Sequence, residues 1–198
     1  MILSHVVGMM TNPSSEWDKI KEEQCGLAEC YLKNVVLLAA IPPICAFIGA
    51  TQVGWNIGNS HYTLTVESTL PMAIGFYIAS LIAVYVMGRA IHWMAQTFDV
   101  NVPIEQCVVI AANFVTPLFL AGIVALYPVP WLIMLVALVA MGYSVYLMFT
   151  GIPQVMDIDK DKGFIFASAV LTVGLVTMVG VMAATIVMWS MGFGPEYA

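Results

Sequence analysis

Few residues in this chain are equipped for chemistry, and several of them lie close together. Arg89 and His92 stand three apart in the stretch GRAIHW, so they share one face of a helix. Asp99 and Glu105 follow shortly after. From Leu70 to Met87 there is no charged residue at all. A guanidinium, an imidazole and two carboxylates set deep in an apolar interior would suggest proton or ion handling. At the edge of a membrane the same groups are an anchor and an ion pair. The second arrangement is expected, with Arg89 snorkelling to the headgroups and pairing with Glu105, and with His92 and Asp99 as alternative neighbours.

Other candidate sites are weaker. In DIDKDKG, Asp157, Asp159 and Asp161 match the first three ligand positions of a calcium-binding loop. Lys162 stands where that loop needs glycine, and Ser168 where it needs glutamate, so a solvated loop is expected. The cysteines, Cys25, Cys30, Cys45 and Cys107, show no metal-ligand or redox spacing. His61 and Glu67 are the only ionisable side chains of their loop, which reads as solvated. No nucleophile–base–orienter set, glycine-rich phosphate loop or H-E-x-x-H motif occurs. The chain reads as non-enzymatic, without catalytic residues, metal or cofactor.

The elements that carry these residues follow from composition. Of 198 residues 61% are hydrophobic and 9% charged, with mean hydropathy +0.93. Soluble domains carry about a quarter charged residues, so the class is all-α polytopic membrane protein. A helix needs about 20 apolar residues to cross the hydrocarbon core. Five spans are expected, at about 34–51, 70–93, 104–126, 131–150 and 164–191. Tyr127-Pro-Val-Pro-Trp131 divides the third from the fourth, and Gly151 and Pro153 are expected to end the fourth.

With the N-terminus inside, Lys19, Lys21, Lys33, Arg89, Lys160 and Lys162 all fall on the cytoplasmic side. The expected topology is therefore N-in and C-out. The segment MILSHVVGMMTNP lacks the basic start and cleavage site of a signal peptide. Residues 1–33 read as a cytoplasmic segment and 34–198 as the membrane domain. Asn12-Pro13 opens an amphipathic helix with Trp17, Ile20, Gln24, Leu27, Ala28 and Tyr31 on one face. Surface-binding helices carry basic polar faces, whereas here acids outnumber bases five to three over residues 13–33. Docking on the chain's own spans, or on a cytoplasmic protein partner, is therefore expected over docking on lipid. The loop TQVGWNIGNSHYTLTVEST combines turn formers with alternation and reads as a small hairpin.

Within the spans the polar and kinked points are Pro42, Pro43, Asn113, Thr116 and Pro117. They either line a cavity or let helices pack. Small residues recur at four-residue steps, at Gly75, Ala79 and Ala83 and again at Ser168, Thr172, Gly180 and Ala184. Such ridges allow close helix contact in lipid, within one chain or in a homo-oligomer.

The stretches IPPICAFIGATQVGWNIG, MGRAIHWMA, TPLFLAGIVALYP and GIPQVMDIDKDKG together resemble the bacterial Yip-domain inner-membrane proteins, the YohC-like group. The resemblance runs from about residue 30 to 190, in the same order. It implies a five-span bundle with a cytoplasmic N-terminus in the inner membrane. Eukaryotic members of the wider family bind Rab GTPases in membrane traffic. That role does not carry over, because bacteria lack the machinery and the Asp-Leu-Tyr-Gly-Pro type motif is absent. Two functions are expected, in this order: a scaffold or adaptor organising lipid or partner proteins, and a passive channel or transporter for a small solute or ion. Membrane lipid is the expected partner and nucleic acid is not.

Overall fold

A computed structural model describes residues 2–22, 35–57 and 60–192 of the chain. Among the described residues five helices are long and apolar enough to cross a membrane, and two short helices precede them. The short pair is α1, Ile2–Thr11, and α2, Pro13–Glu22. Pro13 opens α2 where its missing N–H costs nothing. The expected segment contained one helix, so α1 is an addition. Of the amphipathic helix expected through Tyr31, residues 23–33 lie outside the described residues, as does Lys33.

The first span is α3, Val36–Ile48, extended by one wide turn over Gly49–Val53. It stops at Gly54, whose φ of +76° suits glycine. The hairpin follows as expected, with β1, Trp55–Ile57, antiparallel to β2, Ser60–Tyr62. Strand pairing does not continue through the HYTLTV alternation to Val66. Thr65 instead caps the next helix, accepting from the Ser68 N–H at 3.3 Å. That helix, α4, is Val66–Thr97, about one turn longer at each end than the expected span. At about 1.5 Å per residue it exceeds the ~30 Å hydrocarbon core, so its ends project beyond it.

Helix α5, Ile104–Ala121, continues as a tight turn over Gly122–Leu126. Helix α6 is Pro130–Met156. It does not end at Gly151 or Pro153 as expected. Pro153 lies within the last turn, and Asp157, with φ +57°, closes the helix instead. Helix α7, Lys160–Ser190, follows after a short link. Because residues 160–168 are helical, the twelve-residue calcium loop is not formed.

Helix α5 is the centre of the bundle. It packs on α4 and α6, and buries Cys107, Ile110, Ala111 and Phe114 among other residues. Close backbone approaches hold it in place. At Gly88 of α4 an added Cβ would lie 2.5 Å from Val108 Cγ2 and 2.7 Å from Val108 Cα. At Gly122 it would meet Pro42, and at Gly49 it would strike the Ala125 carbonyl oxygen. Helix α7 packs on α6 and α4 mainly through its first half, where Phe166, Ala167 and Val170 are buried.

Two glycines of the four-step ridges stand open. Added Cβ atoms at Gly75 and Gly180 would meet nothing. Ala79 and Ala83 line a cavity, described below.

Candidate functional site

Gly88 and Ile91 turn inward on α4, the one against Val108 and the other fully buried. One residue is about 100° of helix, so Arg89 turns outward and is exposed. Among the described residues it forms no ion pair, and the expected contact with Glu105 is not made. Glu105 sits half-buried in the first turn of α5, where a carboxylate is favoured by the helix dipole. Asp99, with φ +56°, makes the turn that ends α4.

What ties the end of α4 to the approach of α5 is His92. Its Nδ1 lies 3.0 Å from the Val102 carbonyl oxygen and its Nε2 3.1 Å from the Gln96 amide nitrogen. A carbonyl only accepts and an amide NH₂ only donates. The contacts fit a ring that donates from Nδ1 and accepts at Nε2. His92 is thus a joint between the helices, with Arg89 exposed at its rim. A double-mutant cycle of Arg89→Gln and Glu105→Gln should accordingly be additive within about 0.3–0.5 kcal/mol. His92→Ala should cost about 0.5–1.5 kcal/mol for the interhelix bond. Thermal denaturation in detergent measures both, and a coupling clearly above that additive limit would restore the ion pair.

The kinked points turn into the helices themselves. Asn113 Nδ2 donates to the Val109 carbonyl at 2.8 Å, and Thr116 Oγ1 to the Ala112 carbonyl at 3.0 Å. Neither bond goes to the Asn113 carbonyl that Pro117 frees. Asn113, Thr116, Pro117 and Pro43 are all buried, and Pro42 packs on Gly122. Pro42 thus packs α3 on the turn that continues α5, while the buried Asn113 and Thr116 bond within α5.

Two features go beyond the sequence reading. The first is the form taken by the expected docking of the N-terminal segment on the chain's own spans, a cap of α1 and α2 on the end of the bundle that carries the lysines. Trp17 is fully buried, with its ring over Gly151 of α6. Glu16 is only 3% exposed, because α1 folds over it at Gly8. Lys19 Nζ pairs with it at 3.0 Å. Tyr143 donates its hydroxyl to the Met9 carbonyl at 2.7 Å. Gln154 Nε2 donates to the Ser14 carbonyl at 2.8 Å and to Asp18 Oδ1 at 2.6 Å. Lys21 reaches Asp157 at 3.2 Å, an exposed pair that adds little. Trp17 was legible as apolar, but nothing in the sequence marked Gly151 as its seat.

The second feature is a half-open cavity of about 600 Å³ between α4, α5, α6 and α7, with exposed Phe76, Leu175 and Met182 among its walls. It extends from the contact of Met87 with Gly174 toward the hairpin end, as far as Phe76 and Met182. Its walls carry no ionisable side chain and are mainly Ala, Val, Leu, Met and Phe. Among the described residues no group of three His, Cys, Asp or Glu side chains could hold a metal.

Comparison with known proteins adds an independent line. Residues 7–181 match the family model described as the Yip1 domain. The chain is 41% identical over 192 residues to inner membrane protein YohC of Escherichia coli strain K12, covering 96% of this chain and 98% of that protein. The protein of the same name from Escherichia coli O6:H1 matches to the same extent. No solved structure matches the chain.

Proposed function

Because the chain belongs to the Yip1-domain family of membrane proteins, we propose that it is a non-enzymatic scaffold or adaptor of the inner membrane, organising lipid or partner proteins. The observation that carries this reading is the way the bundle treats its buried polar groups. Asn113 and Thr116, the residues best suited to line a conduit, direct their hydrogen bonds to their own helix. In hydrocarbon such back-bonding satisfies a polar group without opening a path. The cap of α1 and α2 supports the same reading, since it covers one end of the bundle and presents a surface to the aqueous side.

In this proposal the lysine-bearing end, with the cap, faces the cytoplasm and the hairpin faces the periplasm. The one-sided placement of all six Lys and Arg supports it. In a background lacking the native cysteines, Ser60→Cys should react with a membrane-impermeant thiol reagent in intact cells. Lys160→Cys should react only after lysis. The reverse pattern would invert the topology and take the cap off the cytoplasmic side.

Native mass spectrometry of the full chain released from detergent tests the scaffold role. A discrete retained lipid, a co-purifying protein or a defined oligomer of this chain is expected. A bare monomer, under conditions that preserve the fold, would contradict it.

A further inference from the structure

The outward face of α6 changes character along its length. Exposed apolar side chains run from Met134 and Leu135 through Leu138 and Val139 to Tyr146, the belt that a span turns to lipid. From Leu147 to Met156 no residue is exposed, and there α2 and α7 pack on the helix. Helix α2 follows α6 contact by contact: Lys21 meets Asp157, Asp18 meets Gln154, and Trp17 lies over Gly151. The next contact belongs to α1. The Met9 carbonyl accepts from the Tyr143 hydroxyl, and the ring of Tyr143 lies 5.7 Å from that of Tyr146, where the exposed belt ends.

The depth of that contact follows from the length of α6. Exposed Tyr127 and Trp131 mark the interface at the hairpin end, where such rings gather. A hydrocarbon core of ~30 Å at ~1.5 Å per residue then covers about 20 residues, to near Gly151. Any tilt of the helix moves that edge toward Met156. Tyr143 lies eight residues before Gly151, about 12 Å further in, which is more than its side chain can reach back. The Met9 carbonyl is therefore inside the hydrocarbon layer. The bond suits such a place. In a helix this carbonyl would accept from residue 13, and Pro13 has no N–H. The neighbouring Gly8 carbonyl takes the Asn12 N–H at 2.8 Å. At an aqueous surface water would satisfy the orphan; in hydrocarbon a protein group must, and Tyr143 is that donor.

We propose that α1 is immersed in the cytoplasmic half of the bilayer, with Val7 and Met10 against lipid acyl chains, while α2 stays at the aqueous edge. Composition separates the two helices in the same way. Helix α1 contains no Asp, Glu, Lys or Arg, whereas the ten residues of α2 include Glu16, Asp18, Lys19, Lys21 and Glu22. Met9 is buried against the bundle, but Val7 and Met10 are exposed. Lipid is their partner because they continue, past Tyr143 and Tyr146, the belt that lipid already covers.

The name of the leaflet rests on the topology proposed above; the immersion does not. Spin labels test it in the full-length protein, stripped of its native cysteines and held in nanodiscs of phosphatidylethanolamine and phosphatidylglycerol. Labels are placed through Val7→Cys and Met10→Cys, with Leu138→Cys as the lipid-facing reference and Glu22→Cys as the aqueous one. Melting temperature confirms that each labelled protein is folded. Oxygen concentrates in hydrocarbon and a polar nickel chelate in water, so the ratio of their collision rates reads depth. At Val7 and Met10 the ratio should approach that at Leu138 and exceed that at Glu22 severalfold. A ratio like that at Glu22 would put α1 in water and overturn the proposal. Weak collision with both reagents would bury these residues in protein, a second copy of the chain included, and would overturn it too. Nanodiscs expose both faces, so an inverted topology, read by the thiol labelling above, leaves these outcomes unchanged.

Discussion

Trp17→Ala is expected to release both N-terminal helices from the bundle. The indole is fully buried against Gly151, and truncating a buried tryptophan costs about 3–5 kcal/mol. Helix α2 has ten residues, too few to persist in water without its packing, since isolated helices shorter than about 12–15 residues are marginal. Helix α1 leans on α2, so it should follow. Limited proteolysis of the detergent-solubilised protein reads the release directly. Cleavage within residues 8–22 should accelerate strongly while the membrane domain stays intact. Trp17→Phe should behave differently. The indole Nε1 is buried without a partner among the described residues, so losing it removes no bond and much of the packing remains. Gly151→Val attacks the same contact from the other side, and combined with Trp17→Ala it should add little further. Unchanged cleavage in Trp17→Ala would show that the cap is held by its polar contacts, chiefly those of Tyr143 and Gln154.

Gly88→Leu should be strongly damaging at the seam between α4 and α5. Its Cβ would lie 2.7 Å from the Val108 Cα, and backbone cannot yield as a side chain can. Helices α4 and α5 must separate, at a cost at or above the ~1–3 kcal/mol typical of overpacking. The joint at His92 lies one turn away and should loosen with it. Gly75→Leu is the control on the same helix. Its added Cβ meets nothing, so the change should fall within about ±0.5 kcal/mol. Melting temperatures in one detergent compare the two. Equal losses would mean that the tight contact is not what holds α4 to α5.

These two glycines also show which parts of the fold could be read in the chain. Hydropathy and charge spacing mark where each span must be, because the bilayer demands length and apolarity of every crossing. The spans, the hairpin after Gly54 and the turn at Tyr127–Trp131 were legible for that reason. Which face of a helix meets a neighbour depends on the neighbour. Gly75 belongs to a regular four-step ridge yet stands open, whereas Gly88 belongs to none and is the tightest point of α4. Arg89 and Glu105 were expected to pair from their depth alone, but the rotation set by Gly88 turns Arg89 away. The end of α6 was misplaced because Gly151 and Pro153 resemble a terminator, whereas one receives Trp17 and the other Gly163.

In the proposed role the bundle holds and organises but does not conduct. Solute and ion efflux from proteoliposomes containing the full chain tests it most directly. The account predicts efflux of potassium, protons and small neutral solutes equal to that of protein-free vesicles, and unchanged by Asn113→Ala or Thr116→Val. Efflux above the protein-free level that either substitution alters would contradict it, because those residues would then line a path and not a packed interior.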